Sequence, residues 1–245
     1  NAPKKMRKKL ALFDTLVIPS SKELPLWQRY HKNVRVIPNF LPQIPSLSTT
    51  YSQKVVLSVG RLSKEKGFFR LLDIWQILAQ NKKFECEFQK WRLVIVGDGV
   101  LKKELESKIK ALNLQESVIL KPFTKQIEKE YLNASIYAMT SHFEGFGMVL
   151  AEASSYALPC VAFDVKTGPS DIIADEKSGF LVADNDLQGY ADKLMLLMRD
   201  ENLRENFGTK AKQVVSEKFS KEVVMKEWQG LFDEQNIEIK DKYGY

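Results

Sequence analysis

The chain is poor in the residues that soft-metal and covalent chemistry most often requires, with two cysteines and two histidines in 245 residues. Cys86 and Cys160 stand alone without CxxC spacing, which excludes a zinc ribbon or a disulfide framework and predicts two buried thiols in a reducing compartment. Long apolar runs are missing as well. No stretch approaches the roughly 18 residues that a membrane helix needs, and no apolar signal segment opens the chain, so a cytoplasmic location is expected. Internal repeats and low-complexity tracts are absent. The Lys and Arg residues are not interleaved with Phe and Trp as a base-stacking platform would require, which argues against nucleic acid as a partner.

Positive charge, by contrast, is plentiful. The formal net charge is +6, and Lys4, Lys5, Arg7, Lys8 and Lys9 crowd the first nine residues. This cluster is read as a solvated terminus, because the apolar half of an amphipathic helix does not accompany it. Contact with an anionic membrane or a phosphorylated lipid is the competing reading.

Hydrophobic residues make up 44% of the chain and charged residues 28%, the balance of a globular protein of one or two domains with a substantial core. Short apolar runs at 55–59, 93–96, 118–120, 136–139, 160–163 and 180–182 predict buried strands. Helical patterns at 68–80, 101–111, 127–133, 149–156 and 169–174 alternate with them. The fold class that follows is α/β: a Rossmann-like parallel sheet with helices on both faces. A helical C-terminal third is expected over 187–199, 203–217 and 221–234. The first forty residues differ. They predict a strand over 12–18, a helix over 24–31, a strand over 34–37 and then a linker marked by Pro38, Pro42 and Pro45.

Ser141 to Glu152 reads SHFEGFGMVLAE and carries the most information. A buried strand leads into a loop with Gly145 and Gly147 on either side of Phe146, and a helix follows. Unpaired N–H groups and the positive helix end near Gly147, Met148 and Val149 can hold a phosphate, and the glycines let backbone approach it. Glu144 precedes the helix and Glu152 lies within it. Were the whole segment helical, they would stand about 12 Å apart at ~1.5 Å per residue. That suits the two ends of one nucleotide sugar and exceeds the roughly 5–9.5 Å of a glycosidase pair. The apolar neighbours Leu150, Ala151 and Ala153 predict that Glu152 is a buried carboxylate in need of a partner.

The frame EGFGMVLAEA, with seven residues between Glu144 and Glu152, resembles the signature of the retaining glycosyltransferases of family 4. Other segments are similar to that family in the same order: Ile37-Pro38-Asn39, Gly60-Arg61-Leu62 with Glu65-Lys66-Gly67, Ile95-Val96-Gly97-Asp98-Gly99, and Gly179-Phe180-Leu181-Val182. The resemblance covers roughly residues 10 to 235 and implies the donor-binding half of a two-domain GT-B enzyme. On this reading 1–44 is the tail of an N-terminal acceptor domain with its linker, 45–220 the nucleotide-sugar domain, and 221–245 a C-terminal helix and tail. The rest of the acceptor domain would be missing, so this chain is expected to bind donor and to transfer sugar negligibly. Peripheral contact at the inner membrane face would fall to that missing domain.

The resemblance implies a nucleotide diphosphate sugar, UDP-linked by preference, as donor. A glycan or lipid-linked saccharide would be the acceptor, with no cofactor and no obligatory metal. Glu144 would receive hydroxyls of the donor sugar and Glu152 those of the ribose. Arg61 and Lys66 would face the diphosphate, with Gly60, Gly97, Phe123, Gly145, Phe146, Gly147, Met148 and Val149 lining the donor site. The loop is not a Walker loop, since GK[ST] is absent. A non-catalytic nucleotide-sugar module and a nucleotide-sugar epimerase or hydrolase remain the alternatives. Among weaker signals, Asp184-Asn185-Asp186 has a DxD spacing but precedes a helix, where Asp is expected as the cap. His142 stands between a structural role and a place in the sugar pocket, and no Ser or Asp partner supports a triad. Thr167 to Asp171 resembles a sugar-facing loop, with Asp171 where the family more often has Glu.

Overall fold

The computed structural model describes residues 9, 10 and 12–243, and side chains as far as residue 235. Of the basic cluster only Lys9 falls within that range. Strands β3 (Val55–Val59), β4 (Arg92–Val96), β5 (Val118–Lys121), β6 (Ile136–Met139), β7 (Cys160–Phe163) and β8 (Gly179–Val182) form one sheet in the order β5-β4-β3-β6-β7-β8. All its pairings are parallel.

Alternate residues of each central strand enter different cores. Val56, Leu93, Ile95, Ile136, Ala138, Val161 and Phe163 pack on one face, and Leu57, Val94, Val96, Tyr137, Met139, Cys160 and Ala162 on the other. Parallel strands covered on both sides read as continuous apolar runs, which is why they were visible in the sequence. Helices Phe68–Ala79, Lys102–Ala111 and Leu187–Arg199 supply side chains to the first face. Helices Ile127–Leu132 and Met148–Ser155 and the end of Glu201–Phe219 supply them to the second. The order in which strands are added changes sides at β3 and β6, with β4 and β5 laid outward from β3 and β7 and β8 outward from β6, so the carboxyl ends of these two parallel strands flank the crevice where ligands bind in such sheets.

The N-terminal segment departs from expectation. Only Leu16–Ile18 is strand (β1), not 12–18, and Leu12 is 81% exposed. β1 pairs in parallel with β2 (Val34–Val36), and Ile18 is buried. The helix expected over 24–31 is the single turn Leu24–Trp27. At the far end, Lys221–Tyr243 outruns its expected limit. Val224, Leu231 and Trp228 of that helix pack on Ile37, Val17 and Phe40, and Arg35 pairs with Glu234 at 2.7 Å.

A short helix, Glu85–Phe88, is an element the sequence pattern did not indicate. Its Phe88 packs on Trp75 at 5.1 Å and on Phe84 at 6.3 Å, and this turns Cys86 outward. Cys86 is therefore exposed, not buried as expected, while Cys160 is buried and its thiol is pushed up to about 12 by that burial. Among the described residues, no helix is long and apolar enough to cross a membrane.

Candidate nucleotide-sugar site

A cavity of about 690 Å³ opens at the carboxyl ends of β3, β4 and β5, lined by Val59, Gly60, Arg61, Val96, Gly97, Asp98, Phe123, Thr124, Lys125, Ile127, Val149 and Glu152. Six of the sequence-predicted residues thus meet there: Gly60, Arg61, Gly97, Phe123, Val149 and Glu152. The loops are bound to one another. Leu62 N–H donates to the Asp98 carbonyl at 2.9 Å, and Phe123 N–H to Asp98 Oδ2 at 2.9 Å. Asp98 therefore fixes both walls. Gly97 must be glycine, since a Cβ there would strike the Gly60 carbonyl. Phe123 leaves its ring 68% exposed at the rim.

Glu152 lies in the Met148–Ser155 helix, half-buried, and Tyr131 Oη donates to its Oε2 at 2.9 Å. Here is the partner that its apolar surroundings demanded. Burial raises the Glu152 pKa above the ordinary carboxylate value, and the Tyr131 hydrogen bond opposes the rise.

Glu144 occupies a second cluster. Its Oε1 accepts from Lys66 Nζ at 2.7 Å and from Ser141 Oγ at 2.6 Å, and Thr167 Oγ1 donates to its carbonyl. The helix begins only at Met148, so the span calculated for a continuous helix does not apply. Lys66 does not line the cavity as Arg61 does, and Arg61 forms no ion pair among the described residues. Gly147 caps the helix at φ 94°, a backbone conformation that other residues rarely adopt. Leu150 is the first residue of that turn bonded back to it, at 2.9 Å, which leaves the amides before Leu150 as first-turn donors. Gly145 is exposed and Met148 half-buried on this loop. Phe146 is corrected to a core side chain, 3% exposed and packed edge-on to Phe219 at 5.1 Å. Only its backbone remains for a ligand.

Other sequence readings divide in the same way. Asp186 does cap its helix, accepting from Gly189 N–H at 2.8 Å, whereas Asp184 pairs with Arg70 at 2.7 Å. Asp171 does not face the sugar cluster freely, because Ser20 and Ser21 hydroxyls hold its carboxylate at 2.5 and 2.6 Å. The His142 side chain is exposed, and its backbone N–H donates to the Glu65 carbonyl at 2.8 Å. Burial lowers its pKa, with Arg70 contributing.

Arg70 and Tyr131 escaped the sequence reading. Arg70 is 7% exposed; its guanidinium donates to the Thr140 carbonyl at 2.6 Å and to the Ser141 carbonyl, and lies 4.1 Å over the Phe163 ring. It ties down the chain just before Glu144. An arginine inside the apolar helix start Phe68-Phe69-Arg70-Leu71-Leu72 was the available signal.

The chain is similar to known proteins in sequence and in fold. The chain is 39% identical over 209 residues to the amylovoran biosynthesis glycosyltransferase AmsD of Erwinia amylovora, covering 82% of this chain and 56% of that one. It is 35% identical over 159 residues to an N-acetylgalactosamine-N,N'-diacetylbacillosaminyl-diphospho-undecaprenol 4-alpha-N-acetylgalactosaminyltransferase of Campylobacter jejuni, covering 65% and 41%. It therefore spans about half the length of these relatives. A Staphylococcus aureus TarM mutant, solved with Fondaparinux, alpha-GlcNAc-glycerol and UDP, superposes with a TM-score of 0.83 at 27% identity, covering 94% of this chain and 46% of that one. The model of the family "Glycosyl transferases group 1" matches residues 43–214, which include the whole cavity and the Lys66–Glu144 cluster, and the chain belongs to that family.

Proposed function

We propose that this chain is the donor-binding half of a retaining glycosyltransferase. It would take a hexose or N-acetylhexosamine from a UDP-sugar for transfer to a glycan or lipid-linked acceptor in surface polysaccharide synthesis. The observation that carries the reading is the convergence of Gly60, Arg61, Gly97, Phe123, Val149 and Glu152 on one cavity at the sheet's carboxyl edge. The relatives support the rest: amylovoran synthesis and a diphospho-undecaprenol acceptor appear in their names, and UDP in the TarM complex.

In this reading the base rests at the rim beside Phe123. Glu152 accepts from the ribose hydroxyls, a charged acceptor facing a diol. Arg61 and the first-turn amides of the Met148–Ser155 helix neutralise the diphosphate as it leaves. Lys66 turns from Glu144 to the same diphosphate, and Glu144 takes the sugar hydroxyls in its place. These groups supply the positive charge, so no metal or cofactor is required. The protein would work at the cytoplasmic membrane face, where a lipid-linked acceptor is presented.

Calorimetric titration with UDP, then with a panel of UDP-sugars, tests the proposal. Micromolar UDP affinity with a preference for one sugar is expected. Absence of binding to any nucleotide sugar would overturn it, and interconversion of a free donor without acceptor would favour an epimerase.

A further inference from the structure

The tyrosine beneath Glu152 carries an inference that rests on the donor-site reading. Tyr131 is 1% exposed and belongs to the Ile127–Leu132 helix, whose first residue, Ile127, lines the cavity. Its ring stacks on Tyr156 at 5.2 Å and leans on Tyr137 at 6.2 Å. Tyr137 is anchored in turn, its hydroxyl donating to the Val59 carbonyl at 3.3 Å. The Tyr131 ring cannot swing without displacing these neighbours, so its hydroxyl is held on Glu152 Oε2 at 2.9 Å.

We infer that Tyr131 is a positioning residue for nucleotide binding: by occupying Oε2 it fixes the Glu152 rotamer and presents Oε1 to the ribose. The wall beside the base and the ribose acceptor then act as one unit, because both are attached to the same short helix. Tyr131 also keeps the carboxylate charged. A half-buried carboxyl with no donor binds a proton more readily, and a protonated Glu152 offers the ribose diol a poorer acceptor.

The groups around Glu152 allow this to be isolated. Tyr131, Tyr137 and Tyr156 are all raised above their ordinary values by burial, and Cys160 is pushed up to about 12. These therefore stay protonated between pH 5 and 8. Of the charged groups, Arg61, Asp98 and Lys125 line the cavity with Glu152, Glu128 acts on Tyr156, and Glu144 acts on Tyr137 from the neighbouring loop. A Glu152→Gln variant separates the Glu152 titration from that of the other carboxylates.

The test uses Tyr131→Phe, which keeps the ring and removes the hydroxyl. In the ligand-free chain, carbon NMR of labelled glutamate side chains gives the Glu152 titration, assigned by its loss in Glu152→Gln. Its midpoint should rise by about one pH unit in Tyr131→Phe, the equivalent of one hydrogen bond to a charged acceptor. UDP affinity, measured across the Glu152 titration found by NMR, should fall as pH drops through that midpoint. In Glu152→Gln only the fall from protonation of the UDP phosphate itself should remain, and the additional fall should begin about one pH unit higher in Tyr131→Phe than in wild type. A merely structural tyrosine would lower the melting temperature and leave both midpoints in place, which would overturn the inference. A shifted NMR midpoint with no UDP binding in any form, wild type included, would uphold the Tyr131–Glu152 contact, overturn its coupling to UDP and reject the donor-site reading.

Discussion

Lys66 Nζ sits 2.7 Å from Glu144 Oε1, joining the loop after β3 to the loop before the Met148–Ser155 helix, with the two side chains 24% and 9% exposed. With the pair closed, both groups are satisfied without ligand. Glu144 keeps Ser141 as a second donor, so its carboxylate retains one hydrogen bond when the ammonium is absent.

Breaking that pair from one side should cost stability. Lys66→Ala leaves a mostly buried carboxylate with one hydroxyl donor, and a loss of about 1–3 kcal/mol is expected, below the range for fully buried pairs because Lys66 is partly solvated. Adding Glu144→Gln should recover part of that loss. Urea denaturation of the four proteins of the cycle measures the coupling, and strictly additive losses would show that the two groups do not interact.

Arg61→Ala should weaken UDP binding about tenfold, equivalent to one charge-assisted hydrogen bond of roughly 1.5 kcal/mol. Folding should be untouched, since Arg61 is exposed and forms no ion pair among the described residues. Calorimetry beside a thermal melt distinguishes the two effects, and unchanged affinity would remove this loop from the site.

The two glutamates should separate by ligand. Glu152→Ala should weaken UDP and UDP-sugar alike, because the ribose is common to both. Glu144→Ala should leave UDP binding undiminished, because it frees Lys66 for the diphosphate, and should lower the affinity for UDP-sugar relative to UDP. Paired titrations with both ligands decide it, and the reverse pattern would mean that the donor lies the other way round.

Arg70→Met should destabilise the chain by about 2–4 kcal/mol, because the Thr140 and Ser141 carbonyls lose their donor and Asp184 its partner. It should also weaken donor-sugar binding, since these carbonyls lie just ahead of Glu144. Chemical denaturation and UDP-sugar titration give the two values. A stable variant with lower affinity only would place Arg70 in the ligand shell instead.

The inner sheet strands were legible because they are buried on both faces and so read as nearly uninterrupted apolar runs, whereas edge strand β5 was legible from its short apolar run although Ile119 is 41% exposed. The strand expected over 12–18 came out shorter: Leu12 and Phe13 are apolar but remain exposed, and apolarity alone does not supply a pairing partner. The Glu85–Phe88 helix was illegible for the opposite reason, since a single turn is too short for periodicity to register.

What the sequence determined by itself is local: which runs must be buried, where glycine is needed for a loop to turn into a helix, and which carboxylates and cations border those loops. Gly145, Gly147, Glu144 and Glu152 were accessible on those grounds, and Arg61 through the family resemblance. Tertiary structure alone decided how they are partnered. Lys66 meets Glu144, Arg70 meets Thr140, and Tyr131 meets Glu152 across separations of 78, 70 and 21 residues. No periodicity encodes such meetings, because they depend on the parallel register that brings the ends of β3 and β6 side by side. Phe146 shows the same division: its place in the motif was evident, but its direction, into the core against Phe219, was set by the packing of the last residue of a distant helix, Glu201–Phe219.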